Sequence, residues 1–207
     1  MVPRLAALLL FALAGCGGAE LPPAATPAPS PPLATAPDGQ VVRGAVAAAD
    51  RTRAPVDGGT AVVRPRERVV ELVGAGGEVV DRADAGVGPT QVVSDGGGYL
   101  WVTDTAGGAL LVFHVHPRLE LIRRYPLPGS PYGIAIDNVR HRMYVTQTAR
   151  NQLSELSVGG RPSLVARYAT PQQPNTVAVD ETTGRVAITG KVDGVLQLLD
   201  PGRDRAR

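Results

Sequence analysis

The sequence predicts an all-β fold in which one antiparallel four-strand unit is used repeatedly. The first observation is a repeat. Residues 88–95 (GPTQVVSD), 130–137 (SPYGIAID) and 173–180 (QPNTVAVD) match one another. Each is followed by a turn and a second run, WVTD at 101–104, YVTQ at 144–147 and AITG at 187–190. Prolines at 89, 131 and 174 and threonines at 103, 146 and 189 set the period at 42 or 43 residues. The second observation is composition. The 207 residues include 25 Gly and 19 Pro, and the apolar side chains are mostly Val, Leu and Ala. That mixture suits short strands and tight turns better than long helices. The third is the arithmetic of the clearest unit, where residues 132–137, 143–146, 153–158 and 163–169 form four alternating runs separated by turns. Four strands in about 43 residues make one blade of a β-propeller, a sheet that buries both faces only by stacking on its neighbours. A β-sandwich with accidental similarity is the competitor, and the register kept over three copies argues against it.

Taken in order, the chain opens with a short basic lead containing Arg4 and an apolar run at 5–13, too short to span a bilayer. This is the pattern of a secretory signal. Leu13-Ala14-Gly15-Cys16 then resembles the lipobox of bacterial lipoproteins. The resemblance implies a signal peptide over 1–15, lipidation of Cys16, and a protein anchored at the outer face of the cytoplasmic membrane. An ordinary signal peptide with an incidental cysteine is the alternative. Each buried acyl methylene adds about 0.8 kcal/mol to such an anchor. Cys16 is the one cysteine, so no internal disulfide can form.

Residues 16–38 carry prolines at 22, 23, 27, 29, 31, 32 and 37. They are expected to form a disordered, extended tether, reaching about 70 Å at 3.1 Å per residue. The repeat domain is placed at 39–207, with its clearest copies at 88–129, 130–172 and 173–200. Residues 41–50 are weakly strand-like, although 45–49 read equally as a helical turn. Residues 51–59, with a proline and a Gly-Gly pair, read as a loop. Runs at 61–63, 68–73 and 78–82 supply the second, third and fourth strands of a degraded first copy.

The count of copies predicts about four blades or an incomplete ring. The last copy stops after its third strand at Leu199. Its fourth strand is expected either from residues 41–48, closing the ring within the chain, or from a partner through an unpaired blade edge.

Tyr144-Val145-Thr146-Gln147 resembles the signature of YVTN-type β-propeller repeats, with Gln147 in place of asparagine. The preceding PYGIAID and PNTVAVD runs resemble the first strands of that family, whereas WVTD and AITG depart from the signature. The resemblance implies a propeller and, for most members, binding or scaffolding rather than catalysis.

In a propeller, the loops entering the innermost strand and joining strands two and three gather around the channel. Carried onto this chain, they offer Thr90, Gln91, Asp104, Thr105, Tyr132, Gln147, Arg150, Asn151, Asn175, Thr176, Lys191 and Asp193 as a binding surface. Asp95, Asp137 and Asp180 recur at strand ends, where aspartate caps a turn through its own backbone. His114 and His116 lie two apart, a spacing that can hold a metal, with no third ligand nearby in sequence. No Ser-His-Asp order, phosphate loop or Cys-His pair is visible. Net charge is +2, and basic residues are scattered apart from 64–68 and the tail, so nucleic acid is not an expected partner. The leading expectation is an envelope lipoprotein that presents its propeller to an envelope protein or a small ligand, with no cofactor. The alternatives are a gluconolactonase-like hydrolase using a divalent metal held by Asp104, Asn175 and Asp193, and a shortened relative without independent activity.

Overall fold

The structure is a computed structural model that describes residues 29–44, 51–192 and 194–204. Its strands are β1 Gln40–Arg43, β2 Arg53–Val56, β3 Gly59–Arg64, β4 Val69–Gly74, β5 Val79–Asp84, β6 Pro89–Ser94, β7 Tyr99–Asp104 and β8 Ala109–His114. They continue as β9 Glu120–Pro126, β10 Pro131–Asp137, β11 Arg142–Gln147, β12 Gln152–Ser157, β13 Ser163–Ala169, β14 Pro174–Val179, β15 Val186–Gly190 and β16 Val195–Leu199. They pair, all antiparallel, into four four-stranded sheets. Blade 1 is β2–β5, blade 2 β6–β9 and blade 3 β10–β13, while blade 4 is β14–β16 completed by β1.

Blade 4 resolves how the last copy ends. β1 pairs with β16, with Gln40 opposite Leu198 and Arg43 opposite Val195, and so supplies the missing strand from the start of the domain. Of the expected donor, 41–48, residues 41–43 lie in β1, and residues 45–50 lie outside the described residues. The signal peptide and Cys16 lie outside them as well. One expectation needs correction. Residues 53–56 form the inner strand β2, not a loop. Pro55 is tolerated because β2 pairs on one side only, leaving no second ladder that needs its missing N–H.

The middle strands of blades 2 and 3 are apolar on both faces because each of these blades is covered on both sides. In β8, Ala109 to Phe113 are all buried. The outer strand β9 (ELIRRYP) is exposed almost throughout. Register then sets which residues meet the next blade. Ala54, Ala61 and Leu72 of blade 1 lie in one row and pack on Leu100, Val102, Leu111 and Phe113 of blade 2. Val93, Trp101 and Val112 of blade 2 pack on Ile134, Met143, Val145 and Leu156 of blade 3. Ala135 and Tyr144 of blade 3, with Leu153 and Tyr168, pack on Val177, Val186, Ile188 and Leu199 of blade 4. Burying each large side chain of this kind stabilises by about 1.5–3 kcal/mol. Among the described residues these are the three apolar seams, and none joins blade 4 to blade 1. The blades therefore form an arc.

Candidate functional site

Three inner strands begin at prolines, β6 at Pro89, β10 at Pro131 and β14 at Pro174, and their first residues meet at one end of the arc. Gln91 ties them together. Its Nε2 donates to the Asn175 carbonyl at 3.3 Å, and its Oε1 accepts from the Ile134 amide at 3.3 Å, so one side chain bridges blades 2, 3 and 4. Thr90 Oγ1 lies 2.8 Å from Thr103 Oγ1 and 2.7 Å from Thr105 Oγ1. Thr103 in turn donates to the Tyr132 carbonyl and Thr105 to the Pro131 carbonyl, at 2.8 and 2.6 Å. Thr176 and Thr189 repeat the hydroxyl pair in blade 4. The threonines that mark the repeat thus tie strands and blades together where inner strands start. Gly133 is required there, because a Cβ would stand 2.9 Å from Thr146 Oγ1 and 3.0 Å from the Asn175 carbonyl.

Several expected site residues are occupied in the same way. Asp104 is fully buried, and its Oδ1 accepts from the amides of Val87, Gly88 and Gly107 at 3.1, 2.8 and 3.0 Å. It fastens the loop between blades 1 and 2. Gln147, also buried, donates to the Pro128 carbonyl at 2.6 Å and accepts from Ser154 Oγ at 2.5 Å. Asn151, in the left-handed region with φ 48, donates to the Pro31 carbonyl at 2.7 Å and accepts from the Gln173 amide at 3.3 Å.

That contact with Pro31 corrects the tether boundary. Residues 29–38 were expected to be disordered, yet they lie across the junction of blades 3 and 4. Ser30 donates to the Thr148 carbonyl and accepts from the Gln173 amide, at 2.6 and 2.8 Å. Gln172 donates to the Pro31 carbonyl at 2.8 Å. Asp38 accepts from the Ala169 amide at 2.6 Å, and its carbonyl accepts from Gln197 at 2.7 Å. Proline-rich chain has little conformational entropy to lose, so a handful of polar bonds can hold it.

Among the described residues, the buried side-chain atoms without a hydrogen-bond partner include Trp101 Nε1, Asp104 Oδ2 and Gln197 Oε1. Asn175 Oδ1 is buried and has no partner. The adjoining Tyr132 is half-buried, and burial raises its hydroxyl above the ordinary value of 10.0, so it stays a neutral donor. Arg150 packs its side chain over Gly129, and Lys191 is exposed on the loop after β15. Asp193 lies outside the described residues. Farther along the inner strands a cavity of about 250 Å³ is lined by Arg51, Arg53, Ser94, Ala135, Val179 and Glu181. Arg51 Nε is buried there without a partner. Sequence reading missed this pair of arginines because 51–59 carries the Pro and Gly signals of a loop. The comparison that finds them is β2 set against β6, which puts Arg53 at the position of Val92.

The remaining candidates separate. β8 stops at His114, so His116 does not share its strand face, and the His114 ring lies 5.1 Å from that of Tyr99. Among the described residues no three His, Cys, Asp or Glu side chains converge on one point. Asp104 spends Oδ1 on backbone amides, while its buried Oδ2 has no hydrogen-bond partner and lies 3.6 Å from the Arg124 guanidinium. The recurring aspartates are turn caps. Asp95 accepts from Gly97 and Tyr99, Asp137 from Arg140, and Asp180 from Thr182 and Thr183.

No protein-family profile matches the chain, and no curated protein sequence does. Solved structures do match. The β-propeller domain of Cps50 (Swd1) from Myceliophteria thermophila superposes with a TM-score of 0.58 at 14% identity, covering 68% of this chain and 49% of that one. The fold is a β-propeller. A putative 6-phosphogluconolactonase from Bacteroides uniformis gives 0.58 at 11% identity, covering 67% of this chain and 46% of that one. Streptogramin B lyase gives 0.50 at 13% identity, covering 77% and 58%. The propeller described here spans about half the length of the structures it matches.

Proposed function

We propose that this protein is an envelope lipoprotein, anchored through Cys16, whose YVTN-like propeller arc binds a small polar or anionic ligand or an envelope protein. The observation that carries the binding reading is the inner wall. It presents a rigid surface with Tyr132 and Asn175 free to hydrogen-bond near one end and Arg51 and Arg53 along the cavity. The anchor rests on the Leu13-Ala14-Gly15-Cys16 pattern and on the proline-rich segment that follows it.

Two experiments test the two halves. Cys16→Ser should abolish incorporation of labelled fatty acid and shift the protein from the membrane to the soluble fraction; unchanged partition would overturn the anchor. Envelope metabolites and proteins captured by the native chain should be lost with Arg53→Ala, while thermal stability changes by less than about 0.5 kcal/mol. Equal capture by both would remove the inner wall from the reading.

A metal-dependent propeller hydrolase is the second reading. It is favoured by the unpartnered Asn175 Oδ1 and by the likeness to a putative 6-phosphogluconolactonase. Lactone hydrolysis stimulated by a divalent ion and lost with Asn175→Ala would establish it. Neither capture nor hydrolysis by the native chain would leave a shortened relative without independent activity.

A further inference from the structure

The outer strands repeat a pattern that the inner wall does not use. Each carries an aliphatic pair followed within two residues by an arginine. The pairs are Val41-Val42 before Arg43 in β1, Val79-Val80 before Arg82 in β5, Leu121-Ile122 before Arg123 in β9, and Leu164-Val165 before Arg167 in β13. Apart from Val165, each of these aliphatic side chains is at least 40% exposed. Single exposed apolar residues are ordinary, whereas a pair on the rim of every blade is a patterned surface. In β5, β9 and β13 the second member is also the extra residue of a β-bulge, so Val80, Ile122 and Val165 have no partner across the ladder. A bulge bends an edge and interrupts its ladder, which makes these rims poor templates for an added strand. What they present is side chains.

Charge distinguishes one part of the rim. In blade 1 the pair lies among carboxylates: Glu78 and Asp84 are exposed, Asp81 adjoins Val80, and Arg82 stands 3.9 Å from Glu71. Blades 2 and 3 differ. Glu120 is matched by Arg118 at 3.7 Å. Between β9 and the β12–β13 turn runs an open groove of about 800 Å³, lined by Ile122, Arg123, Arg124, Tyr125, Gly160 and Arg161, with no carboxylate along it. Arg124 donates to the Gly107 carbonyl and lies beside Asp104. Among the described residues, Arg123 and Arg161 form no ion pair. Leu121 stands next to Ile122, and Leu164 three residues beyond Arg161.

We propose that this part of the rim, β9 with the β12–β13 turn, rests on a membrane surface rich in anionic phospholipid. Its arginines meet the headgroup phosphates, and Leu121, Ile122 and Leu164 enter the boundary with the acyl chains. Arginine offers phosphate two parallel N–H groups, and an apolar face bordered by basic side chains has the composition that partitions to such an interface. The contact uses neither Cys16 nor the inner wall, and so goes beyond the reading above. Where Cys16 is lipidated, the anchor holds the rim at high local concentration, and a weak contact suffices to orient the propeller.

The test uses the full chain with Cys16→Ser, which removes the lipid and leaves an added cysteine as the only thiol. An environment-sensitive fluorophore on Ile122→Cys should shift to shorter wavelength with vesicles of three parts phosphatidylcholine to one part phosphatidylglycerol, and not with phosphatidylcholine alone. The same label on Val80→Cys, the equivalent bulge position in blade 1, should not shift. Arg123→Ala with Arg161→Ala should weaken binding to the anionic vesicles about 25-fold, about fivefold for each arginine near the surface. Both side chains are exposed, so the circular dichroism spectrum should be preserved. No shift at Ile122, an equal shift at Val80, or binding that survives loss of both arginines overturns the proposal. So does displacement by inorganic phosphate beyond that caused by chloride of equal ionic strength, which would make the occupant a free anion. The label reports where the chain touches the bilayer, so vesicle binding through residues 1–15 alone leaves Ile122 silent and counts against the rim. Cys16 is absent throughout, so failure of the lipid anchor leaves this result unchanged.

Discussion

The first seam joins blades 1 and 2 through side chains with no hydrogen bonds to make, among them Leu100, Val102, Leu111 and Phe113. The third joins blades 3 and 4 with a mixed set. Tyr144, Ile188 and Leu199 pack there, but Glu155 and Gln197 are also fully buried within it. Glu155 is satisfied by Tyr168 at 2.8 Å and Arg142 at 3.2 Å, and Gln197 donates to the carbonyls of Asp38 and Ala169. Ser30 and Pro31 cross the same junction. One seam is held by non-directional burial and the other partly by polar geometry. Burial survives small shifts, whereas a buried polar group is costly as soon as its partner leaves. Blade 4 is therefore the unit expected to open first.

Substitutions along the two seams probe that difference. Phe113→Ala should cost the most, about 3–5 kcal/mol, because a fully buried ring leaves a cavity; its loss should appear as one cooperative transition of lower Tm. Glu155→Gln should cost about 1–3 kcal/mol through a weakened buried network. Amide exchange should then accelerate in β14–β16 before β6–β8. Equal acceleration in both would mean that the seams do not differ as described. Asn151→Ala releases the Pro31 carbonyl and leaves the Gln173 amide with Ser30 alone of its two side-chain acceptors, for about 0.5–1.5 kcal/mol. Its expected signature is protease cleavage around residues 29–38 with the blades intact.

The smallest effect is a titration. Asp180 lies below its ordinary 3.8 because the Thr183 hydroxyl and then the Thr182 amide bond to its carboxylate. A depressed folded pKa gives stability that is present above the unfolded value and is lost as pH falls through the folded one. Thr183→Val should move the Asp180 titration, followed by NMR, back up towards 3.8, with no change at either seam. Tyr132 has the opposite sense. Its raised value means that stability is present below pH 10 and declines as pH rises through the folded pKa, which phenolate absorbance will follow.

The blades were legible in the sequence because proline, aspartate and threonine recur in register, and each does a job that depends only on local geometry. Asp95 and Asp180 cap their turns, and Thr103 bonds where the inner strands start. β2 was not legible, since Pro55 and the Gly58-Gly59 pair are turn residues in any local reading and only pairing with β3 makes 53–56 a strand. Thr90, Gln91, Gln147 and Asn151 stand where inner strands begin or blades join, yet their polar atoms bond within the chain, as does Oδ1 of Asp104. A polar side chain looks the same in sequence whether it faces a ligand or a neighbouring carbonyl. The docking of Ser30 and Pro31 was invisible for a related reason, because composition sets what a segment can do alone and not what a groove can hold.

β1 gives the domain a timetable. Blade 4 needs Gln197 bonded to Asp38, a separation of 159 residues. At about 5–20 residues added per second, blade 4 waits roughly 8 to 32 s after residue 38 is made before that bond can form. Closing a loop of that size costs about 4–5 kcal/mol by the logarithmic rule. Blades 1 to 3 each complete from contiguous chain and can be in place before the clasp closes. Until then β16 has an open edge, and that interval is when a nascent chain is most exposed to strand exchange with another copy.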